Sequence, residues 1–221
     1  CIYGRDHLKG RKVVVSAGGT QEKIDPVRFI SNRSSGRQGY AIAKAAWMEG
    51  ADVTLVSCTT ALPAPYGGKM VYVQDARELE KAMNTEYDSC DAAIMAAAVS
   101  DYRPTVEADQ KIKKEDFDSL HIDLTQNPDI LYGLGQKKRG QFLVGFAAET
   151  QDVIEHGKSK LKRKNLDMLV ANDVAMPGAG FNGTTNIASL LYKDEHMEQY
   201  PKMSKDELGH IIIEKMAELM K

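Results

Sequence analysis

The sequence predicts an α/β protein with a mostly parallel sheet, helices on both faces, and a C-terminal hairpin and helix. Three observations predict it. Short apolar runs alternate with helical patterns along the chain, and strand–helix–strand alternation of this kind builds a parallel sheet covered on both sides. A glycine-rich loop follows the first apolar run, at a carboxyl strand end, where such sheets bind ligands. The last 35 or so residues switch to a hairpin pattern and then to a capped helix, by the pattern rules for these elements.

The first run, KVVVS at 12–16, reads as a buried strand. GYAIAKAAWMEGA then reads as a helix that places Gly39, Ala43, Ala46 and Trp47 on one face and stops at Gly50. Small residues on that face let a helix sit close to a sheet. DVTLVS at 52–57 and MVYV at 70–73 are the next strands, ARELEKAMNTE at 76–86 a helix, and DAAIMAAA at 91–98 a strand again. A long polar tract, 99–119, is too long for a routine connection and so is expected to be mobile or functional. LHIDLTQ at 120–126 alternates like an edge strand. In NPDILYGLGQKK, Asn127 reads as a helix cap with Pro128 at the first helical position. FLVGF at 142–146 is a strand, QDVIEHGKSKLKRK a helix, and DMLVA at 167–171 a strand. A Gly/Asn-rich loop, NDVAMPGAGFNGTTN, precedes a hairpin turning at KDE. The final helix opens on a capping box, Ser204 with Glu207.

Bulk composition narrows the function. The 221 residues suit a single domain, residues 1–221, with 1–10 as a linker or tail. A hydrophobic content of 43% is ordinary for a globular chain that buries its own core. A net charge of −2 exerts no general pull toward nucleic acid or an anionic membrane, so neither is an expected partner. No apolar run spans a bilayer. The cysteines Cys1, Cys58 and Cys90 form no CxxC pair, which argues against zinc or thioredoxin-type chemistry and fits a reducing, cytoplasmic setting. The start at Cys1 rather than Met suggests an excised part of a longer chain.

Three clusters carry candidate chemistry. In SAGGTQEKIDPVRFISNRSSG, Gly18 and Gly19 allow a tight turn, and Ser34, Ser35 and Gly36 precede a helix start whose free N–H groups attract phosphate. A plain glycine turn with an N-cap explains the same residues. In AAAVSDYRP and KIKK, Asp101 leaves the end of an apolar strand, and Lys111, Lys113 and Lys114 put three ammonium groups on one loop. Exposed lysines are ordinarily just solvated, but a run at the ligand edge also suits a clamp over phosphates. In GFAAET and KSKLKRKNLD, Phe146 ends a strand while Lys160 and Lys164 share a helix face, with a basic solvent face as the plain alternative. NDV at 172–174 and GFN at 180–182 add loop polar groups without an evident role. A nicotinamide site is disfavoured, because the spacing is not GxGxxG and no acid follows the second strand to hold a ribose. Tyr40 and Lys44 mimic a short-chain dehydrogenase pair but fall after the first strand, and read as ordinary helix residues. There is no Walker A loop. The five histidines form no ligand pair at helical spacing, and no nucleophile–histidine arrangement stands out.

Taken together and in order, DPVRFISNRSSGRQG, AAAVSDYRP, KIKK, NPDI, GFAAET, KRKNLD and ANDV resemble bacterial phosphopantothenoylcysteine synthetase. That family is the ligase half of a bifunctional coenzyme A biosynthesis protein whose other half is a flavin-dependent decarboxylase. The resemblance implies a Rossmann-like homodimer that ligates 4′-phosphopantothenate with L-cysteine, using CTP and Mg²⁺ through an acyl-cytidylate. It implies Asn32 and Lys111 as catalytic residues, the amide donating to the acyl oxygen and the ammonium neutralising phosphate. It places Arg28, Asn32 and Ala98 at the substrate, with Arg28 reaching the substrate phosphate, in the partner's site if not its own. The nucleotide would meet Gly18, Gly19, Ser34, Ser35, Gly36, Ala97, Asp101, Lys111, Phe146, Lys160 and Lys164. Rival readings are an NAD(P)-binding oxidoreductase or a non-catalytic nucleotide-binding module on the same fold.

Overall fold

The computed structural model describes residues 6–114, 119–149, 153–173, 183–194 and 196–221. Eight strands form the main sheet: β1 (Lys12–Ala17), β4 (Asp52–Ser57), β5 (Lys69–Tyr72), β6 (Ala92–Met95), β9 (Phe142–Glu149), β10 (Met168–Asp173), β11 (Thr185–Tyr192) and β12 (Met197–Ser204). Their order is β12-β11-β10-β9-β6-β1-β4-β5. The six strands from β5 to β10 run parallel, and β11 and β12 add an antiparallel hairpin at the β10 edge. The expected fold class and closing hairpin are therefore present.

Two clusters of buried side chains cover the two faces. On one, α1 (Arg37–Met48) and α5 (Lys205–Leu219) pack over Val13, Val15, Ile94 and Val144. On the other, α2 (Ala76–Tyr87), α3 (Ile130–Lys137) and α4 (Val153–Arg163) cover Val14, Val56, Leu143 and Leu169. Leu8, in the stretch expected to be a tail, is 1% exposed and belongs to the first cluster, with its N–H bonded to the Glu49 carbonyl at 2.9 Å. Cys58 and Cys90 are buried free thiols, and burial pushes both up to about 12.

The chain order reverses between β1 and β6. The connection after β1 leads to α1 on one face and that after β6 leads toward α3 on the other, so the carboxyl ends of these neighbours open a crevice. Close approach of α1 to β1 defines one wall. A Cβ on Gly39 would lie 2.5 Å from the Ala17 Cβ and 2.8 Å from the Ser16 carbonyl oxygen, so only glycine permits this packing.

Several expected elements differ. The loop after β1 is not plain: it contains an antiparallel ribbon, β2 (Gln21–Lys23) with β3 (Phe29–Ser31). The ribbon forms because Asp25 closes its turn, accepting from the Val27 and Arg28 N–H groups at 2.8 Å each. Glu22, 2% exposed, anchors it by accepting from the Ala76 N–H at the start of α2 at 3.1 Å. β6 stops at Met95 instead of running to 98. The 120–126 segment is not an edge of the main sheet: β8 (Leu124–Gln126) pairs with β7 (Tyr102–Pro104) inside the long tract, as a second ribbon. α3 is capped by Asp129, not Asn127, whose amide instead donates to the Ser100 carbonyl at 2.9 Å. α1 starts at Arg37, earlier than Gly39, and Trp47 is 37% exposed rather than inward. The Gly/Asn-rich stretch at 174–182, including the polar groups expected at 180–182, lies outside the described residues.

The two ribbons are clamped together. Asp25 Oδ2 receives the Arg28 guanidinium, which also donates to the Ile112 carbonyl at 2.9 Å, and the Ile112 N–H returns to Asp25 at 3.2 Å. The Arg28 hydrogen bond, aided by the three N–H donors, holds the Asp25 carboxyl far below the usual carboxylate range against its burial. A carboxyl depressed in the folded state stabilises it above the unfolded value, near pH 3.9, and loses that contribution as pH falls toward the folded value. Asp25→Asn is expected to raise amide exchange at 105–114, measured by hydrogen–deuterium exchange at neutral pH. The wild type is expected to show the same loosening only below about pH 4. Unchanged exchange in the variant would remove the clamp.

Candidate functional site

A cleft of about 670 Å³ opens at the β1/β6 crevice and extends over the ends of β9 and β10. Its walls come from Asn32 to Gly39 after β3, from Met95 to Tyr102 after β6, and from Gln126 to Leu131 at the start of α3. Phe146 and Ala147 of β9, Lys160 and Lys164 near the end of α4, and Asn172 and Asn186 close the far side, while Lys205 lies beside the start of α1.

The floor is the stretch after β6. The Ala97 N–H donates to Ser16 Oγ at 3.1 Å, the Ala98 N–H to the Gly18 carbonyl at 2.8 Å and the Ser100 N–H to Thr20 Oγ1 at 3.0 Å. The Asn32 amide donates to the Ala98 and Val99 carbonyls, both at 3.2 Å. Asn32 thus lines the cleft with its donors already engaged.

At the other wall, α1 begins on Gly36 with φ 79° and no side-chain cap. A Cβ there would meet Thr59 Cγ2 at 2.9 Å and, at 3.3 Å, the main-chain nitrogen of Gly18. Its first turn carries no acid. In contrast, α2, α3 and α5 are capped by Asp75, Asp129 and Ser204. An uncapped first turn presents N–H groups and the positive end of the helix dipole to the cleft.

Lys205 comes to the same corner. It is the first residue of α5, 7% exposed, and its carbonyl accepts from Gln38 Nε2 at 3.1 Å. Burial, and then the neighbouring Arg37, pull its pKa down. Two cations near one helix N-terminus favour a bound anion. Farther along, Lys164 bonds Asp129 at 2.8 Å. Burial raises the Asp129 carboxyl, but the Lys164 ammonium and the Tyr132 N–H together hold it below its ordinary value. Asn186, 4% exposed, sits at a bulge in β11 and donates to Asn172 at 3.0 Å.

Of the residues nominated from the sequence, the cleft brings together Asn32, Ser34, Ser35, Gly36, Ala97, Ala98, Asp101, Phe146, Lys160 and Lys164. Gly18 and Gly19 support it from below rather than lining it. Gly18 has φ 90° and abuts Cys58, and Gly19 bridges to Ala98. Arg28 and Lys111 stand outside this cleft, on the clamped ribbons. Lys164 has its charge met by Asp129. Tyr40 and Lys44 are structural: the Tyr40 hydroxyl contacts Ser57 Oγ at 3.0 Å, and Lys44 lies 3.9 Å from Asp206. Residues that sequence reasoning missed are Arg37, Gln38, Ser100, Asn186 and Lys205. For Lys205 a signal existed, since a cation at a first helical position opposes the helix dipole. Among the described residues, no group of three His, Cys, Asp or Glu is placed to hold a metal, and no helix is long and apolar enough to cross a membrane.

A parallel sheet with its cleft at a switch point, a phosphate-attracting helix start and a polar far wall define a Rossmann-like ligand-binding domain. Comparison with known proteins sharpens this. Residues 8–220 match the family described as the DNA/pantothenate metabolism flavoprotein C-terminal domain, and the chain belongs to that family. It is 45% identical over 215 residues to the coenzyme A biosynthesis bifunctional protein CoaBC of Bacillus subtilis, covering 97% of this chain and 53% of the relative. It is 48% identical to the CoaBC of Vibrio cholerae, covering 95% and 54%. The chain thus spans about half the length of these curated relatives. A crystal structure of the C-terminal domain of CoaBC superposes with a TM-score of 0.83 at 38% identity, covering 97% of this chain and 98% of the other.

These findings correct the expected chemistry. The family description names a flavoprotein, whereas the resemblance implied a CTP-dependent ligase and put the flavin in another half. On that description the synthetase assignment is set aside, and with it ligation of 4′-phosphopantothenate to L-cysteine, the acyl-cytidylate, and CTP with Mg²⁺. The NAD(P) oxidoreductase and the non-catalytic module are set aside as well. Pantothenate metabolism, which the family description names, agrees with the expectation.

The flavin that the description implies can be tested against the cleft. The α1 corner fits a mononucleotide phosphate. The described walls hold no stacked aromatic pair for an isoalloxazine ring: Tyr102 and Phe146 are the aromatic lining residues among them, and Met95, Val99, Ile130 and Leu131 stand among Asp101, Asp129 and Lys164. The ring contacts among the described residues, Trp47 with Tyr66 and Tyr192 with His196, lie elsewhere. No step is therefore derived through a flavin.

The α1 corner generates a prediction. Lys205→Met is expected to weaken inorganic pyrophosphate binding about 10- to 100-fold by calorimetry, the scale of a charged hydrogen bond, with Lys205→Arg retaining most of it. Equal affinity in the Met variant would take Lys205 out of the corner.

Proposed function

We propose that this domain serves coenzyme A biosynthesis by binding a phosphorylated intermediate of pantothenate metabolism in the β1/β6 cleft. The observation that carries the reading is the uncapped start of α1 facing the cleft beside buried Lys205. That corner suits a phosphoryl group, which N–H donors and two cations stabilise together. The walls mix the carboxamides of Asn32, Asn127, Asn172 and Asn186 with apolar residues such as Val99 and Leu131, a lining that suits an organic body carrying both polar and apolar groups. The relatives' involvement in coenzyme A biosynthesis supplies the substrate class.

The test is a ligand panel: inorganic pyrophosphate, 4′-phosphopantothenate, 4′-phosphopantothenoylcysteine, the 5′-ribonucleoside monophosphates, FMN, and unphosphorylated pantothenate. Phosphorylated ligands are expected to raise the melting temperature and pantothenate to leave it unchanged. A ligand at 100 times its Kd stabilises by about 2.7 kcal/mol. FMN is expected to bind with unshifted isoalloxazine absorption. Equal responses to pantothenate and its phosphate would overturn the reading.

Homodimerisation is part of the same proposal. The ribbons expose Val27, Phe29, Val106, Leu120 and Leu124, an apolar surface that self-association would cover. Arg28 and Lys111, remote from their own cleft, gain a role if they meet the partner's. Sedimentation is expected to report a dimer that Phe29→Asp converts to monomer; a monomeric wild type at micromolar concentration would refute it.

A further inference from the structure

We propose that the Ser100 hydroxyl is a direct ligand contact, reading a neutral polar group of the bound molecule rather than its phosphate. The inference rests on the cleft being the phosphorylated-ligand site, and adds which residue recognises the rest of the ligand. Ser100 is 6% exposed, lines the cleft, and its hydroxyl oxygen is buried without a hydrogen-bond partner. Such orphans are rare in folded proteins, because an unmet buried polar group is destabilising.

The surroundings make this orphan specific. The main chain of Ser100 is held from two sides, its N–H on Thr20 Oγ1 at 3.0 Å and its carbonyl by Asn127 Nδ2 at 2.9 Å. Asn127 is in turn held by Arg103 Nη1 at 3.1 Å. The backbone of this residue is thus fixed from two sides, one of them braced by Arg103, while its hydroxyl is left unmet in a residue that lines the cleft. Fixing a donor before the ligand arrives is how a site gains selectivity, since a ligand lacking the matching group leaves the hydroxyl unpaired. The anionic end of the ligand is taken by the α1 corner. A hydroxyl, which both donates and accepts, matches an amide, carbonyl, hydroxyl or ring nitrogen.

The experiment compares wild type with Ser100→Ala, using pyrophosphate as the reference probe against 4′-phosphopantothenate, 4′-phosphopantothenoylcysteine and the four 5′-ribonucleoside monophosphates. Pyrophosphate affinity is expected to stay the same, while the tightest-binding organic phosphate weakens about 2- to 10-fold, the range of one neutral hydrogen bond. The melting temperature of Ser100→Ala is expected to hold or rise, because an unmet buried hydroxyl has been removed. Thr20→Val, which strands the Ser100 N–H, is expected to lower it. Unchanged affinity for every organic phosphate, or a melting temperature that falls in Ser100→Ala, would overturn the proposal. If the wild type binds neither pyrophosphate nor any organic phosphate, the underlying reading fails instead.

Discussion

The early end of β6 governs this molecule. The strand stops at Met95, and the following residues turn across the end of β1, where Ser16, Gly18 and Thr20 receive their N–H groups. Regular pairing lapses after Met95 and returns as a single parallel bridge, Gly19 to Ala98, so the segment lies under the crevice as its floor. Hydrogen bonds to β1 and its loop replace the lost ladder, so the floor of the cleft is as well satisfied as a strand. Both walls follow: Asn32 docks on the Ala98 and Val99 carbonyls, and Asn127 docks on Ser100.

The second constraint is electrostatic. Three helices neutralise their starts with their own side chains, and α1 does not. Arg37 and Lys205, the latter on the last helix, add positive charge near this end of the helix, a field that favours an anion in the cleft. The ribbons do the opposite. There Asp25 and Arg28 satisfy each other, so the lysine loop is held by an internal ion pair and stays away from its own cleft.

The family description and the geometry pull on different parts of a mononucleotide-like ligand. The phosphate end is built; a stacked aromatic slot for a flat ring is not found among the described walls, which mix carboxamides and charged groups with Met95, Val99, Ile130 and Leu131. Such a mixed wall favours a ligand that brings its own amides and hydroxyls, because buried polar groups then gain partners.

What the sequence alone determined follows from local chemistry. Buried parallel strands such as 12–16 and 52–57 declare themselves by apolar runs, the β11–β12 hairpin by the turn residues Lys193 and Asp194, and α5 by the Ser204–Glu207 capping box. Gly36 was legible because a helix start after a polar loop has few interpretations. The β2–β3 and β7–β8 ribbons were not legible. Each strand has three residues, and what stabilises them is distant in sequence: Glu22 on α2, Asp25 on Ile112. Only the tertiary structure decided that Lys205 joins a corner begun at Gly36, that Asn127 braces Ser100 instead of capping a helix, and that Arg28 and Lys111 fall outside their own cleft. The physical reason is the same in each case. A hydrogen bond or a shared electric field depends on distance in space, and the crossovers of a parallel sheet bring together residues that the linear pattern keeps far apart.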